Sequence, residues 1–352
     1  MAMSHKMLLV LLAATWLTVA NCNVILRDDA ENEVDSNDGE IDLSHLGTAI
    51  YGAPDPSVGE RVSQYNPETD LVNPEELGTY AGGDMLITRP AGRNGLADKS
   101  KLWSNGVVPF VIEGNFDAFG MQLIEDAMNK YHAETCIKFV PRTKQQDYIS
   151  IQSTNSGCWS SVGRLGGKQE VNLQIPGCTT KVGTVAHELM HAVGFLHEQN
   201  RDDRDDFVLI KTENIQPGTE SNFVKARSNS VNSHGVRYDY GSIMHYSANA
   251  FSVNGKPTIV PKKTGGNKMG QRDGFSKGDL SKINSMYGCK GTTASSGNGT
   301  NASKPQRPAS GRPSRPSRPS KPGVTGAQVV GFIGNLIGAF GDNETSNALR
   351  EQ

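Results

Sequence analysis

The sequence predicts an α+β fold with two lobes and a cleft between them. Strand signals and one helix signal alternate between residues 102 and 173, and a histidine-bearing helix follows at 182–193. After this helix, residues 198–240 show neither alternating nor helical spacing of apolar side chains, and only residues 280–287 again indicate a helix. We therefore expect a mixed sheet and the histidine helix in the N-terminal lobe, and a mostly irregular C-terminal lobe that ends in a helix.

The elements before the histidine helix follow from local composition. Residues 107–112 are rich in β-branched and aromatic side chains, which indicates a strand. Residues 117–133 predict a helix, because apolar side chains recur there at helical spacing: Met121, Ile124, Ala127, Met128 and Tyr131. Residues 136–140, 148–152 and 170–173 indicate three further strands, the last within a glycine-punctuated segment.

The histidine helix carries the pattern HELMHAVGFLH. His187 and His191 lie four residues apart, so they project from one helical face and can hold one ion. Glu188 stands beside the first histidine, where a carboxylate can take a proton from a metal-bound water. Gly194 permits the chain to turn back and bring His197 round as a third imidazole. Three nitrogens with one open position predict a catalytic zinc site rather than a structural one.

The short H-E-x-x-H string alone also occurs in helices whose two histidines are merely solvated. Here Gly194 and His197 extend it to the longer metzincin pattern. Apolar side chains opposite the ligand face support the helix: Val182, Val185, Ala186, Leu189, Met190 and Val193. The extended pattern therefore favours a zinc hydrolase.

The first 22 residues predict a signal segment. His5 and Lys6 precede an apolar run that ends near Ala20, too short for a membrane span. A retained anchor is the alternative. We expect the protein to be secreted and extracellular, with no membrane span, and its cysteines to be oxidised.

Charge divides the rest of the chain into three parts. Residues 23–93 have a net charge of −11, residues 94–289 of +3, and residues 290–352 of +5. An acidic leader before a mildly basic domain predicts a detachable inhibitory segment; the alternative is a disordered acidic linker. We expect no nucleic-acid partner.

Within the leader, the segment Tyr80–Met85 combines two glycines with Asp84. The glycines allow close approach of the backbone to another surface, and the carboxylate can ligate a metal. The run from Arg89 to Arg93 follows, and we expect a trypsin-like protease to cut there, which places the mature start near Asn94.

Four of the five cysteines fall in the predicted catalytic domain, and Cys22 lies at the signal cleavage point. These four allow three pairings, which the sequence alone leaves open. A pairing of Cys158 with Cys178 would be local, whereas Cys136 with Cys289 would tie the domain's end to its first half.

The tail, residues 290–352, is rich in Gly, Ser, Pro and Arg, which predicts an extended or disordered spacer. Three glycan acceptor triplets lie there, at Asn298, Asn301 and Asn343. Its basic prolines can contact a polyanionic matrix; a plain soluble spacer is the alternative.

The stretch from His187 onward resembles the astacin family of secreted zinc metalloproteases. Phe195 follows the glycine, the run Glu198-Gln199-x-Arg201 follows the third histidine, and residues 242–246, SIMHY, resemble that family's Met-turn. The resemblance covers residues 94–289 and a fragment of the leader. Further agreement lies in Leu102-Trp103, Cys158-Trp159, Gly163-Arg164, Gly270-Gln271-Arg272 and Lys282-Ile283-Asn284.

The resemblance implies one zinc ion held by three imidazoles, those of His187, His191 and His197. It implies that Glu188 activates a water for attack on a peptide bond, that Met244 lies beneath the metal, and that Tyr246 stabilises the tetrahedral intermediate. A core methionine and a core tyrosine are the plainer interpretations of the last two. It further implies the disulfides Cys136–Cys289 and Cys158–Cys178, and a mature amino terminus at Asn94 packed near Glu198.

The leader resembles the family's inhibitory F-x-G-D element, with Asp84 as the zymogen's zinc ligand. Ala81 occupies the phenylalanine position, with Tyr80 one residue earlier. Arg272 resembles the position that shapes the pocket after the scissile bond, where a cation favours Asp or Glu. We expect residues 170–173 to pair with an extended protein or peptide substrate.

Two other functions compete with an active zymogen protease. A structural or matrix-binding protein with a silent protease fold predicts a lost ligand or base, yet the three histidines, Glu188 and Tyr246 are present. Another zinc hydrolase, such as an exopeptidase or amidase, is the second alternative. Such enzymes usually bind zinc through two histidines and one glutamate, which fits poorly here because His197 completes a set of three histidines.

Overall fold

The computed structural model describes residues 43–88, 102–226 and 233–289. The expected signal segment, the mature start at Asn94 and the tail with its glycan acceptors lie outside these residues. Within the described ranges, no helix is long and apolar enough to cross a membrane.

A five-stranded mixed sheet forms the first half of the catalytic part. Its strands are β1 (Val107–Ile112), β2 (Lys138–Pro141), β3 (Tyr148–Gln152), β4 (Cys158–Ser160) and β5 (Lys168–Leu173), in the spatial order β2-β1-β3-β5-β4. All neighbours are parallel except β4, which runs antiparallel to β5. The four predicted strands are present. Strand β4 was not predicted, because three residues are too few to show an alternating pattern.

The position of β5 corrects one prediction about substrate binding. Residues 170–173 belong to β5, which is paired on both sides, with β3 and with β4. Both rows of its backbone hydrogen-bonding groups are therefore used, and β5 cannot receive a peptide. The edge strand on this side of the sheet is β4 instead.

Four α-helices lie within the described ranges: α1 (Pro56–Ser63), α2 (Ala118–Glu134), α3 (Val182–Ala192) and α4 (Lys277–Met286). The Asp117 carboxylate accepts from Gly120 N at 2.7 Å and so caps the start of α2. Helix α4 begins three residues before the predicted start at 280. Ser276 and Asp279 form a capping box there, and polar residues of a first turn carry no apolar period.

The part between α3 and α4 is mostly turns and short 3₁₀ segments, as predicted. It contains an antiparallel pair that was not predicted, β6 (Val208–Ile210) with β7 (Ile259–Pro261). An aromatic cluster holds this part together and is separate from the main core beneath the sheet. Its larger buried members are Phe223, Tyr238, Tyr240, Tyr246 and Phe251. The α+β class is confirmed, while the division into two lobes stays a prediction.

Residues 43–88 of the leader are folded against the catalytic part. Helix α1 was not predicted; its Val58 and Val62 pack against two glycines beside the Cys158–Cys178 bridge. A Cβ at Gly157 would lie 2.6 Å from Val58 Cγ1, and one at Gly177 would lie 2.4 Å from Val62 Cγ1. This part of the leader is therefore closely packed against the catalytic part, while its role as a detachable inhibitory segment stays a prediction.

Two disulfides join the catalytic part, with the pairing that the family resemblance implies. Cys136 is bonded to Cys289 and Cys158 to Cys178, with Cα–Cα distances of 5.4 and 5.5 Å. The first bridge connects Cys136, which lies between α2 and β2, to a residue that follows α4. It therefore closes most of the catalytic part into one loop.

Candidate metal centre

Helix α3 and the turn after it bring the three predicted histidines together. His187 and His191 lie on one face of the helix, and Gly194 with φ +115° reverses the chain so that His197 faces them. All three imidazoles are fully buried. Only a residue that tolerates a positive φ permits this reversal directly after the helix ends.

Backbone carbonyls orient two of the imidazoles. His187 Nδ1 donates to Ile243 O at 2.8 Å, and His191 Nδ1 donates to Phe195 O at 2.7 Å. Because a carbonyl can only accept, both Nδ1 atoms carry the proton and both Nε2 atoms present a lone pair to the centre. This is the tautomer that a metal ligand requires.

Asp84 of the leader completes a four-residue cluster. Its carboxylate lies 3.0 Å from His187 Nε2, 3.1 Å from His197 Nε2 and 3.3 Å from His191 Nε2. A tetrahedral zinc ion with bonds of about 2.0–2.1 Å separates its ligand atoms by roughly 3.3 Å. The four ligand atoms all lie within 4.8 Å of one another, so these residues fit one zinc ion.

The electrostatics of the cluster favour a cation. Burial lowers the pKa of His187 and of His197 to about 4, so both imidazoles are neutral near pH 7. Burial opposes ionisation of Asp84, but positive charge held at the imidazole cluster outweighs it, and the pKa of that carboxyl then lies well below its usual range. The site therefore offers neutral nitrogens and one anionic oxygen.

Glu188 lies buried beside the cluster. Neither of its carboxyl oxygens has a partner among the described residues. Burial, and then the charges of Asp84 and Glu75, raise the pKa of Glu188 well above its usual range. A buried carboxyl that lies beside a metal cluster and has no competing hydrogen-bond partner among the described residues is positioned to serve as a general base.

Tyr246 donates its hydrogen bond to the leader rather than to the histidine cluster. Its hydroxyl donates to the carbonyl of Gly82 at 2.5 Å, and its ring centre lies 4.6 Å from that of His197. Burial, and then the charge of Asp84, raise the pKa of Tyr246 well above its usual range, so the phenol stays a donor. The Tyr246 hydroxyl can therefore donate a hydrogen bond to any carbonyl oxygen that takes the position of Gly82 O.

Helix α4 holds the turn that carries Met244, which is buried in the main core. The Asp279 carboxylate accepts from Ser242 Oγ at 2.6 Å and from Ile243 N at 2.9 Å. Ile243 in turn provides the carbonyl that orients His187. Asp279 is therefore a positioning residue that sequence reasoning missed, although its capping-box spacing after Ser276 was a visible signal.

Glu198 is already neutralised in the chain that carries its leader. Its carboxylate pairs with Lys282 Nζ and with Arg201 Nη1 at 3.2 Å, and accepts from Asp239 N at 2.9 Å. Asn94 lies outside the described residues, so its expected approach to Glu198 stays a prediction. Lys282, on α4, is a partner that was not predicted.

The leader segment passes the metal cluster in a conformation that requires both glycines. Gly82 has φ +60°, and a Cβ there would lie 3.0 Å from His197 Nδ1. Gly83 has φ +89°, and its Cβ would lie 2.8 Å from Phe251 Cζ. Residues with a side chain rarely adopt these φ values, so the two glycines permit the leader backbone to lie this close to the histidine cluster.

Tyr80 supplies the aromatic anchor that Ala81 lacks. Its ring centre lies 6.1 Å from that of Trp159 in an edge-on arrangement, and its hydroxyl donates to Ser156 O at 2.8 Å. The leader then adds to the outer edge of β4, where Ser160 N donates to Asp84 O at 2.8 Å. Tyr80, one residue earlier in the chain, therefore makes the aromatic contact that Ala81 cannot make.

Arg272 is bound to the leader in this structure. Its side chain is fully buried and forms an ion pair with Glu75. The next residue, Glu76, accepts from Ser247 N and from Ser247 Oγ, each at 2.6 Å. The sequence indicated a role for Arg272, but neither of the two glutamates was predicted to contact it or its surroundings.

Fold and site together define a zinc-protease type of centre, with three imidazoles, an adjacent carboxyl and an aspartate from the leader. Comparison with known proteins agrees. Residues 95–288 match the model of the peptidase family described as Astacin. The chain therefore belongs to the astacin family and is a zinc metalloendopeptidase.

Named relatives give the extent of the likeness. The zinc metalloproteinase nas-4 of Caenorhabditis elegans is 42% identical over 231 residues, which are 62% of this chain and 72% of that protein. For nas-15 of the same organism the identity is 46% over 197 residues, 56% of this chain but 34% of the relative. A solved structure of high choriolytic enzyme 1, a hatching-enzyme zinc protease of Oryzias latipes, has 43% identity and a TM-score of 0.50, covering 54% of this chain and 94% of that one.

Proposed function

We propose that this metalloendopeptidase is secreted as a zymogen and cleaves extended protein substrates after its leader is removed. The observation that carries the proposal is the Asp84 carboxylate, which lies within 3.3 Å of all three imidazole Nε2 atoms. In that position it takes the coordination place that a catalytic site leaves open for water. A chain with its leader in this position cannot bind substrate at the metal.

The chemistry follows from the residues around the cluster. When bound, zinc supplies a Lewis acid for the peptide carbonyl and lowers the pKa of the attacking water. Glu188 takes the proton of that water and returns it to the leaving nitrogen, so that the carboxyl ends the reaction in its starting state. Tyr246 donates a hydrogen bond to the carbonyl oxygen as it gains negative charge.

We propose that an extended substrate pairs with the outer edge of β4 through backbone hydrogen bonds. With the leader in place, Leu86 N donates to Ser160 O at 3.0 Å and Ser160 N donates to Asp84 O at 2.8 Å. Removal of the leader frees both backbone groups of Ser160 beside the metal cluster. An extended peptide can pair there without a sequence requirement of its own.

Activation is proposed to follow a trypsin-like cut after Arg93, which produces a chain starting at Asn94. Arg272 is proposed to favour an acidic side chain after the scissile bond, because a buried guanidinium lacks a counter-ion once Glu75 has left. The three glycan acceptors and the matrix contact of the tail stay predictions.

The test is casein hydrolysis by the full secreted chain before and after limited trypsin treatment. We expect activity only after treatment, with loss on addition of a chelator and in Glu188→Gln. Zinc content is measured in the same samples, because Glu188→Gln should retain one ion per chain. Hydrolysis that ignores both the chelator and the substitution would reject the mechanism.

A further inference from the structure

We infer that Asn222 is a substrate-binding residue, whose side-chain oxygen accepts a backbone N–H of the substrate beside the carbonyl that Tyr246 bonds. This inference rests on the proposed function and deepens it, because it adds a requirement for a free N–H at one position near the scissile bond. The contact selects no particular side chain. It does exclude proline and N-methylated residues at that position, since neither has an N–H to donate.

The leader shows that the enzyme offers this acceptor beside the Tyr246 donor. Gly82 N donates to Asn222 Oδ1 at 3.1 Å, and the Tyr246 hydroxyl donates to Gly82 O at 2.5 Å. Both contacts are made to the main chain of one residue, so they do not depend on its being glycine. The leader itself turns at Gly82 and Gly83, and its path differs from that of an extended substrate. The inference therefore concerns only the two enzyme groups and the peptide groups that they can bond.

The backbone around Asn222 is held by the enzyme rather than by the leader. Asn222 lies in the 3₁₀ segment Glu220–Phe223, and its own N–H donates to Thr219 O at 3.1 Å. Asn200 Nδ2 donates to Asn222 O at 2.9 Å and to Val224 O at 2.7 Å. The Asn222 side chain makes none of these bonds, so its oxygen stays available after the leader has gone. Only 6% of the residue is exposed, and a buried acceptor without a donor is unfavourable.

The same network fixes the spacing between this acceptor and the Tyr246 donor. Tyr246 N donates to Gln199 Oε1 at 3.1 Å, and Gln199 Nε2 donates to Asn200 Oδ1 at 3.0 Å. Asn200 in turn holds the backbone of Asn222. The ring of Phe223 also packs edge-on against that of Tyr246, with 6.1 Å between the ring centres. Removal of the leader breaks none of these contacts, so the acceptor and the donor remain side by side in the activated enzyme.

Asn222 adds a second enzyme segment to the backbone contacts that β4 provides. Ser160 on β4 contacts the leader at Asp84 O and at Leu86 N, whereas Asn222 contacts it at Gly82 N. The part between α3 and α4 therefore bonds the peptide main chain as well as the sheet does. A substrate held by both segments is oriented at the metal without any requirement for its side chains.

The alternative is that Asn222 serves only to dock the leader. The two cases differ in the activated enzyme, where no leader is present. A substrate contact makes cleavage depend on the Asn222 oxygen and on one substrate N–H. A contact for the leader alone predicts that neither matters after activation.

The experiment uses full-length chain activated by trypsin, with leader removal checked by mass spectrometry. The probes are one good peptide substrate and a series in which each backbone N–H outside the scissile bond is replaced in turn by an ester oxygen. For wild type we expect one of these esters, beside the cut, to lower kcat/KM about fivefold through loss of the bond to Asn222. Asn222→Ala should lower kcat/KM for the all-amide peptide by a similar factor and should be insensitive to that one ester.

Variants separate a lost contact from a general defect. Asn222→Asp keeps an oxygen at the place of Oδ1 and should keep the wild-type sensitivity to the ester. Asn249→Ala is the matched control, because Asn249 Nδ2 donates to Gly255 O at 2.9 Å in an exposed loop. The readout is the ratio of amide to ester rates within each variant, so a uniform loss of activity does not imitate the effect. If Asn222→Ala does not fold, Asn222→Ser, whose side chain is too short to reach the N–H, gives the same test.

A variant without the Asn222 oxygen that remains as sensitive as wild type to every ester would overturn the inference. Equal kcat/KM of that variant and wild type for the all-amide peptide would overturn it as well and assign Asn222 to the leader alone. Absence of any chelator-sensitive cleavage by the activated wild type would instead reject the proposed function, so the two failures are distinguishable.

Discussion

Replacing Asp84 by Ala should make the uncleaved chain partly active. The carboxylate contacts the imidazoles of His187, His191 and His197 and is fully buried with them. Loss of one charge-assisted contact of this kind costs about 1.5–3 kcal/mol. The ratio of closed to open leader should therefore fall roughly 10- to 150-fold, and activity before cleavage should rise by the same factor while the open form is rare.

The leader should nevertheless remain mostly closed in this variant. Tyr80 still packs on Trp159, and the glutamates at 75 and 76 still contact Arg272 and Ser247. We therefore expect Asp84→Ala to reach only part of the activity that trypsin treatment produces. Adding Glu76→Ala should raise activity before cleavage further, because a second anchor is lost.

The assay compares hydrolysis of a quenched peptide before and after trypsin treatment of the same preparation. Dividing the two rates removes differences in yield or in general folding between variants. Asp70→Ala is the matched control, since Asp70 is an exposed leader aspartate whose carboxylate accepts from Asn66 N at 2.9 Å. If Asp84→Ala is secreted normally yet gives the same ratio as wild type and Asp70→Ala, the blocking role of Asp84 is wrong.

Three further predictions follow from the same contacts. Glu188→Gln should lower kcat by about 10²–10⁴, as expected for loss of a general base, while circular dichroism and zinc content stay unchanged; a kcat close to that of wild type would show that another group takes the proton. Gly82→Ala should raise activity before cleavage, since its Cβ would lie 3.0 Å from His197 Nδ1 at φ +60°; an unaltered basal rate would contradict this close fit of the leader. Replacing Cys136 and Cys289 together by Ala should lower the free energy of unfolding by about 2–4 kcal/mol, measured by denaturant titration, and an unchanged midpoint would exclude that bridge as a stabilising link.

The local features of the site were readable from the sequence. The spacing of His187, His191 and His197 around Gly194 is a property of one helix and one chain reversal, so it needs no distant partner. The same holds for strands of five or six residues and for α2, because their apolar periods are long enough to detect. Elements of three residues, such as β4 and β6, carry no period.

Contacts between distant segments were not readable. Arg272 and Glu75 are 197 residues apart, and Glu198 and Lys282 are 84 residues apart. Nothing in either local sequence indicates which opposite charge will be buried against it. Arg272 could therefore be assigned to a substrate pocket, but not recognised as a residue that the leader occupies.

The sequence alone determined the α+β class and predicted the three histidines as zinc ligands and Glu188 as the general base, because helical geometry converts residue spacing directly into side-chain positions. The tertiary structure decided which strand lies at the edge of the sheet, which leader residues occupy the site and which charges are paired. Strand order and buried ion pairs arise from packing between segments far apart in the chain. Their partners are selected by the three-dimensional arrangement rather than by any local pattern of residues.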